Sequence, residues 1–194
     1  MTDSQEKAEE QAQRGPNWLL FIIPVTLFVV LVAFFVRGLS LNPRYVPSPL
    51  IGKPAPAFSL PALSDPETIL TERLLSGQPT LLNVWATWCS GCREEHDFLL
   101  QLARTAGVPI YGLNWKDDAE AARSWLKQLG NPYQAVAFDG EGRVAIDWGV
   151  YGAPETFLIG ADGKVLYKHL APLTAEVWER EFVPLLSEAR GGAR

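Results

Sequence analysis

The sequence Trp-Ala-Thr-Trp-Cys-Ser-Gly-Cys at residues 85–92 contains both cysteines of the chain, Cys89 and Cys92. Residues 80–84 are almost uniformly apolar and predict a buried strand, whereas residues 93–103 predict a helix. Cys89 should therefore lie at the start of that helix and Cys92 one turn into it. Unpaired backbone N–H groups and the positive end of the helix dipole favour a thiolate at Cys89. A lone Cys-x-x-Cys pair at a strand–helix junction indicates redox chemistry rather than a structural bridge between distant segments.

The rest of the composition fits one globular domain with an N-terminal appendage. The chain has 194 residues and a net charge of -5, so its charge gives no indication of nucleic-acid binding. Residues 18–36 carry no charge and are almost wholly apolar. A helix of this length crosses roughly 30 Å of hydrocarbon. We therefore predict a transmembrane signal anchor at residues 18–37, preceded by a flexible cytoplasmic tail at residues 1–17.

Two other interpretations of the apolar run are weaker. A buried core helix should show an amphipathic period, and none is visible. A cleaved signal peptide usually has an apolar region of about 7–15 residues followed by an Ala-x-Ala-like site, which is missing here. The flanking charges do not decide the orientation, because basic residues lie on both sides of the run. We expect the C-terminal domain outside the cytoplasm, since a single N-terminal anchor commonly exports the domain attached to it.

Residues 38–56 are rich in proline and predict a stiff, extended tether. A domain at residues 57–190 and a flexible tail at residues 191–194 should follow. Within the domain, a short N-terminal hairpin precedes the order strand, helix, strand, helix, strand, short helix, hairpin, helix. This order predicts an α/β fold in which a mixed central sheet lies between helices.

Several predicted elements have defined bounds. On the helix that follows Cys89, four residues recur at helical spacing and should face the core: Cys92, His96, Leu99 and Ala103. The later elements are a strand at 108–113, a helix at 117–129, a strand at 133–138, a short helix at 144–148, hairpin strands at 155–159 and 164–169, and a final helix at 174–189.

Four motifs carry a family resemblance. Residues 85–93 together with Glu95-His96 resemble the thioredoxin-like disulfide reductases. Three further runs resemble the branch of these reductases called CcmG or DsbE, which serves cytochrome c biogenesis. They are Tyr-Gly-Leu-Asn-Trp-Lys-Asp at 111–117, Gly-Asn-Pro-Tyr at 130–133 and Gly-Val-Tyr-Gly-Ala-Pro-Glu-Thr-Phe-Leu-Ile at 149–159. The resemblance covers about residues 50–190.

The resemblance implies a thioredoxin-like three-layer fold with an N-terminal hairpin and a βα insertion, preceded by one transmembrane helix. It implies a thiol:disulfide oxidoreductase, anchored by a single pass in the inner membrane with its domain in the periplasm. Such a protein reduces the disulfide of apocytochrome c Cys-x-x-Cys-His motifs before haem attachment. The implied partners are apocytochrome c, a membrane electron donor of the DsbD/CcdA type and the cytochrome c maturation machinery. No cofactor or metal is implied.

The family pattern also implies the site residues. Pro154 should form a cis peptide bond beside the disulfide, which leaves the Ala153 backbone free to pair with an extended substrate. A carboxylate near Cys89 disfavours its thiolate and can transfer protons. The expected catalytic residues are Cys89, Cys92, Glu95, Pro154 and Glu155. The expected substrate-binding residues are Trp88, Tyr151, Ala153 and Pro154.

Two positions depart from the pattern. Ser90-Gly91 fills the inter-cysteine pair, where this family usually has Pro-Thr, and this pair tunes the reduction potential. Asn83 lies where thioredoxin has a buried aspartate. Because Asn cannot take a proton from Cys92, another group or water must do so, and Glu95 is our candidate.

Rival functions are less well supported. Covalent haem attachment needs Cys-x-x-Cys-His, but Arg93 occupies the His position. A zinc site built from Cys89, Cys92, His96 and His169 would require a core-facing His to turn outward and lacks a second Cys pair. A peroxidase would need a lone low-pKa cysteine. A general exported disulfide reductase and a non-catalytic module that holds apocytochrome remain as alternatives.

Overall fold

The computed structural model of the chain describes residues 18–39 and 48–191. The predicted tail at 1–17, residues 40–47 of the predicted tether and residues 192–194 of the predicted C-terminal tail lie outside these ranges. Residues 38–39, predicted as the start of the tether, are helical. The first range contains helix α1, Leu19–Leu39, whose described side chains run from residue 22 to 38. Across the residues that the structure describes, no helix combines the length and the hydropathy that crossing a membrane requires. Residues 48–191 belong to a second compact unit, which is described by itself.

A five-stranded mixed sheet is the centre of this second unit. Its strands are β3 (Thr80–Trp85), β4 (Ile110–Trp115), β5 (Val136–Asp139), β6 (Glu155–Ile159) and β7 (Val165–Leu170). The spatial order is β5-β4-β3-β6-β7. β3 pairs in parallel with β4, and β4 with β5, whereas β6 runs antiparallel to β3 and to β7. Strands β1 (Ser59–Pro61) and β2 (Ile69–Thr71) form the predicted N-terminal hairpin. The predicted mixed sheet is confirmed.

The helices of this unit are α2 (Ser90–Thr105), α3 (Ala119–Leu129), α4 (Arg143–Asp147), α5 (Ala175–Val177) and α6 (Val183–Gly191). A turn of 3₁₀-helix at Glu72–Leu75 follows β2, and a turn of π-helix at Trp178–Phe182 joins α5 to α6. Asp118 caps α3 by accepting a hydrogen bond from the Ala121 N–H at 2.8 Å, and Thr174 caps α5. Because a capping residue lies outside the helix, α3 begins at residue 119 rather than at the predicted 117. The βα unit formed by β5 and α4 lies between α3 and β6.

Apolar side chains cover both faces of the sheet and give the fold three layers. On β3, Leu81 and Trp85 point to the face that packs against α2, α3 and the C-terminal helical segment. Leu82 and Val84 point to the other face, which is covered by the N-terminal hairpin, the 3₁₀ turn and α4. All six residues of β3 are buried. Each buried Leu or Val side chain contributes about 1.5–3 kcal/mol to the stability of the fold. Because β3 is held firmly in the core, the start of α2, which follows it closely in the chain, is held in place as well.

Further predictions about bounds and faces are wrong. The strand predicted at 108–113 lies instead at Ile110–Trp115. On α2, Cys92, His96 and Leu99 are buried as predicted, but Ala103 is exposed and Leu102 is buried in its place. The buried residues recur at positions 92, 95, 99 and 102, so the face of α2 that packs on the core includes Leu102 and not Ala103. The strand predicted from 133 begins only at Val136, because the Tyr133 side chain packs into the core ahead of the strand.

The last part of the predicted tether belongs to the folded domain. We call residues 48–56 the edge strap, because they run along β7, the edge strand of the sheet. Gly52 N–H donates to Val165 O at 2.8 Å, Val165 N–H donates to Lys53 O at 2.9 Å, and Ala55 N–H donates to Gly163 O at 2.8 Å. The strap therefore satisfies part of an edge that would otherwise present unpaired backbone groups.

Candidate active site

The two cysteines form a disulfide at the junction of β3 and α2. Cys89 is the N-cap residue of α2, and its Sγ accepts a hydrogen bond from the Cys92 N–H at 3.0 Å. The two Cα atoms are 5.3 Å apart. This places the Cys89 sulfur at the end of the helix where unpaired N–H groups and the dipole stabilise a negative charge. The arrangement favours the Cys89 thiolate whenever the pair is reduced.

The loop before β6 faces the inter-cysteine residues. Its Ala153–Pro154 peptide bond is cis, as predicted. A groove runs between this loop and the start of α2, and residues 170–172 close one side of it. The groove is lined by Ser90, Gly91, Glu94, Tyr151, Gly152, Ala153, Pro154, Glu155, Leu170, Ala171 and Pro172. An extended chain lying in the groove would pass beside the cysteine pair.

Gly91 allows the loop to approach this closely. A Cβ atom at residue 91 would lie 2.9 Å from Pro154 Cδ and 3.1 Å from Pro172 Cγ. The first distance is shorter than a carbon–carbon contact can be, and both atoms belong to rings that cannot rotate away. The glycine in the Ser90-Gly91 pair is therefore explained by packing against the cis-proline loop.

Glu95 lies on α2 one turn after Cys92 and is 1% exposed. Its Oε1 accepts a hydrogen bond from Asn83 Nδ2 at 2.8 Å, and its Oε2 accepts one from the Leu173 N–H at 2.6 Å. Asn83 also donates to Thr156 Oγ1 at 3.0 Å and accepts from the Tyr133 hydroxyl at 2.8 Å. Glu95 is thus the end of a buried polar chain rather than a solvated residue of the helix surface.

Burial decides the acidity of this carboxyl group. Desolvation raises the pKa of Glu95 to about 7, although the hydrogen bonds from Leu173 and Asn83 act in the opposite direction. Burial, together with the charge of Glu95, raises the pKa of the Tyr133 hydroxyl well above its usual range. Glu95 is therefore a group that can hold or release a proton near neutral pH, one helical turn from Cys92.

Glu155 has different surroundings. Its Oε1 accepts hydrogen bonds from the Tyr151 N–H at 2.8 Å and the Gly152 N–H at 3.2 Å. Its Oε2 lies 3.0 Å from the ammonium of Lys168 on β7, and both side chains are buried. The carboxylate therefore fixes the backbone of the cis-proline loop through the Tyr151 and Gly152 N–H groups.

Asp117 holds the segment between β3 and α2. Its carboxylate accepts hydrogen bonds from the Thr87 N–H at 2.7 Å, the Thr87 hydroxyl at 2.6 Å and Asn114 Nδ2 at 2.9 Å. Trp88 is 57% exposed, and its Nε1 donates to Lys116 O at 2.9 Å. The residue before Cys89 is therefore fixed in an exposed position above the site.

The predicted site residues lie around the disulfide, beneath it and in the groove. Trp88, Cys89, Cys92, Ala153 and Pro154 meet around the disulfide, and Glu95 lies beneath it. Tyr151 is at the end of the groove, 66% exposed, with its ring over Lys168. Sequence reasoning did not identify Asp117 or Lys168. Asp117 closes the motif at 111–117, and Lys168 is a charged residue inside a hairpin strand, which is the signal that could have identified it.

His96, one of the two histidines considered for the rejected zinc site, is turned away from the sulfurs. His96 Nε2 lies 3.1 Å from Gly130 O, and the ring packs edge-on against Trp125. Burial is the main cause that lowers the pKa of His96. Within the part of the chain that the structure describes, no three His, Cys, Asp or Glu side chains are grouped to hold a metal ion.

Comparison with known proteins agrees with this geometry. Residues 50–182 match the Redoxin family. The thiol:disulfide interchange protein DsbE of Allochromatium vinosum is 47% identical over 171 residues, which cover 88% of this chain and 94% of that protein. The DsbE protein of Escherichia coli K12 is 46% identical over 172 residues, covering 86% of this chain and 92% of the relative.

Solved structures share the fold. A candidate DsbE from Chlorobium tepidum superposes with a TM-score of 0.57 at 26% identity and covers 70% of this chain and 94% of its own. A secreted thiol-disulfide isomerase from Corynebacterium glutamicum gives a TM-score of 0.59 at 22% identity and covers 69% of this chain and 85% of its own.

Proposed function

Because the chain belongs to the Redoxin family and, within it, to the DsbE thiol:disulfide interchange proteins, we propose that it reduces the disulfide of apocytochrome c Cys-x-x-Cys-His motifs before haem attachment. That it is a thiol–disulfide oxidoreductase follows from the family and the Cys89–Cys92 pair. The reductive direction and the substrate are our proposal.

One juxtaposition carries this proposal. Ser90 and Gly91, the two residues between the cysteines, form one wall of a groove whose far wall is the cis Ala153–Pro154 loop. The groove is open, and its walls are mostly backbone and small side chains. It suits an extended peptide whose disulfide is presented to Cys89, and an apocytochrome haem-binding motif is such a peptide before haem is attached.

The exchange has two steps. The Cys89 thiolate attacks one sulfur of the substrate disulfide, that bond breaks, and the second substrate sulfur leaves as a thiolate that takes up a proton. Cys92 then loses its proton and attacks the Cys89 sulfur. The mixed disulfide breaks, and the substrate sulfur that Cys89 had attacked leaves as a thiolate and takes up a proton. The substrate gains two electrons, and the pair Cys89–Cys92 becomes the disulfide.

Glu95 supports the second step. Asn83 cannot take a proton, but it donates a hydrogen bond to Glu95. With its pKa raised to about 7 by burial, Glu95 is suited to accept the Cys92 proton directly or through a water molecule. The two N–H donors hold the carboxylate in place when it is ionised.

We further propose that α1 anchors the protein in the inner membrane with the redox domain in the periplasm. The support is the uncharged run at 18–36 and the exposure of the apolar side chains described on α1. A span needs about 20 apolar residues, so residues 19–21 would have to lie in the hydrocarbon together with the rest of the run. In that oxidising compartment a membrane donor of the DsbD/CcdA type and the cytochrome c maturation machinery would be the partners.

The test is to trap the mixed disulfide. A reduced Cys92→Ser variant is mixed with an oxidised peptide that contains Cys-x-x-Cys-His. We expect a covalent complex on a non-reducing gel, and dithiothreitol should separate the complex into its two components by reducing the mixed disulfide. The matched control is Cys89→Ser, which keeps one thiol but lacks the proposed nucleophile. Equal trapping by both variants, or trapping by neither, would reject Cys89 as the group that attacks this substrate.

The holding function is tested separately. A Cys89→Ala, Cys92→Ala variant keeps the groove but has no redox chemistry. We expect it to fail to restore cytochrome c maturation in cells that lack the protein. Full restoration would mean that the groove holds apocytochrome without reducing it.

A further inference from the structure

We propose that Lys168 is a positioning residue for the substrate-binding loop, and that it sets affinity for peptide disulfides without taking part in sulfur exchange. This inference rests on the proposed peptide-binding groove. Lys168 lies on β7, where it contacts Gly149 at the start of the loop at residues 149–154 and Glu155 directly after it. It is not among the residues that line the groove. Its side chain is only 2% exposed, which is rare for a lysine.

The ammonium contacts the loop at three places. Nζ donates to Gly149 O at 2.6 Å, where the loop begins. It lies 3.0 Å from Glu155 Oε2, where the loop ends. It also lies 4.6 Å from the centre of the Tyr151 ring, in the geometry of a cation–π contact. Because the ammonium contacts Gly149 at one end of the loop and Glu155 at the other, a single cation connects the two ends.

Glu155 carries the effect of Lys168 to the loop backbone. Its other oxygen accepts hydrogen bonds from the Tyr151 and Gly152 N–H groups. These two residues immediately precede Ala153–Pro154. The position of the cis-proline backbone therefore depends on a carboxylate that is oriented by its contact with Lys168. A buried carboxylate without its cation would be strongly unfavourable.

The same cation orients Tyr151. One face of the ring lies over Lys168, while the residue as a whole is 66% exposed and lines the groove. An exposed aromatic ring held by a buried contact presents a rigid apolar surface at little cost in side-chain entropy. The substrate class that this surface suits is an extended peptide with an apolar or aromatic side chain beside its disulfide.

The test uses single-turnover oxidation of the reduced protein, measured against the concentration of an oxidised Cys-x-x-Cys-His peptide. The main variant is Lys168→Met, which removes the cation, keeps a side chain of similar length and leaves the residues named for catalysis unchanged. We expect the half-saturating peptide concentration to rise on the order of tenfold, with the maximal rate changed less than threefold. The reaction with a small aromatic disulfide should change less than threefold, since that reagent does not span the loop.

Two further variants complete the comparison. Lys168→Arg keeps the cation, and we expect a half-saturating concentration within threefold of the wild type. Lys164→Met removes an exposed lysine of the same hairpin, paired with Asp162 at the surface, and should leave the peptide reaction unchanged. An unchanged half-saturating concentration in Lys168→Met would overturn the proposal. So would an equal loss of rate with both disulfides.

A measurement on the wild-type protein covers the case in which Lys168→Met does not fold. The Tyr151 and Gly152 amide protons should exchange slowly with deuterated solvent despite the exposed loop, and exchange as fast as in an unstructured peptide would overturn the proposal. Failure of the wild type to reduce the haem-motif peptide would instead reject the proposed substrate. The comparison on an oxidised peptide that lacks the histidine would then still decide the role of Lys168.

Discussion

In the folded protein, the Glu95 carboxyl group is shielded from water and accepts hydrogen bonds from the N–H groups of Asn83 and Leu173. These donors favour the ionised form, but loss of solvent outweighs them, and the pKa rises from 4.5 to about 7. The native protein therefore keeps a proton on this carboxyl group through the range in which an unfolded chain has already lost it. This difference links the stability of the domain to pH.

The sign of the effect follows from the direction of the shift. As the pH rises from 4.5 to 7, the unfolded state releases the Glu95 proton before the native state does, so the free energy of unfolding falls. Above pH 7 both states are ionised and the loss is complete. A shift of this size corresponds to about 3 kcal/mol. We expect Glu95→Gln to lack this loss, as measured by urea unfolding of the oxidised protein between pH 4.5 and 8.

The informative quantity is the difference between wild type and variant at each pH. Gln offers one acceptor oxygen where Glu95 uses two, so a constant offset in stability is expected. Other carboxyl groups titrate alike in both proteins and cancel in the difference. Parallel stability curves for the two proteins would show that Glu95 ionises normally in the folded state.

The sequence predicted that Glu95 belongs to the site, but not that it is buried. On a helix whose neighbouring residues 93, 94 and 97 are charged and exposed, a glutamate is usually solvated. The partners that bury it, Asn83 and Leu173, come from a strand and from a loop distant in sequence. Local periodicity carries no information about such contacts, and the same is true of Lys168 and Glu155.

At the level of elements, the junction between β3 and α2 is held from the side by the loop after β4. Asp117 binds both the N–H and the hydroxyl of Thr87, two residues before Cys89. Parallel pairing of β3 with β4 brings the ends of these strands to the same edge of the sheet. The position of the cysteine pair thus depends on a second strand–loop unit.

Asp117→Ala should therefore destabilise the oxidised protein. The Thr87 N–H loses its acceptor in a partly buried site, which typically costs about 1–3 kcal/mol. Thermal or urea unfolding measures the loss. Asp97→Ala, on the exposed side of α2, is the matched control and should change stability by less than about 0.5 kcal/mol. Similar effects of the two substitutions would mean that the Asp117 contacts contribute nothing.

Most elements were predictable because their signals are local. Hydrophobic runs identified the central strands, and capping and turn residues identified α3 and the β6–β7 hairpin. The edge strap was mistaken for tether because prolines predict an extended segment equally well in solvent and along a sheet edge. Its pairing with residues 163–165 depends on a strand more than a hundred residues later.

For the whole molecule, the strap is expected to contribute to the stability of the redox domain. A chain starting at residue 48 should fold and retain its disulfide. A chain starting at residue 57 loses three backbone hydrogen bonds to the edge of the sheet and the packing of Leu50 and Ala55 on the core. We expect its free energy of unfolding to be lower by about 2–4 kcal/mol. Equal stability of the two fragments, measured in urea, would show that the strap is dispensable.

The proposed location is tested with the full chain. Alkaline phosphatase, fused after residue 194, is active only when it is exported. We expect an active fusion, and a fusion to residues 48–194 without α1 serves as the inactive control. An inactive full-length fusion would place the redox domain in the cytoplasm, where an anchored apocytochrome reductase could not meet its substrate.

The contact between Gly91 and Pro154 joins two properties that are usually treated as separate. The family resemblance implies that the dipeptide between the cysteines tunes the electron affinity of the disulfide, and in the proposed function the proline loop determines which chains can lie beside it. Here any side chain at residue 91 must displace the loop. A change that retunes the redox couple is therefore also a change in substrate selection, and the two traits are expected to co-evolve as a pair.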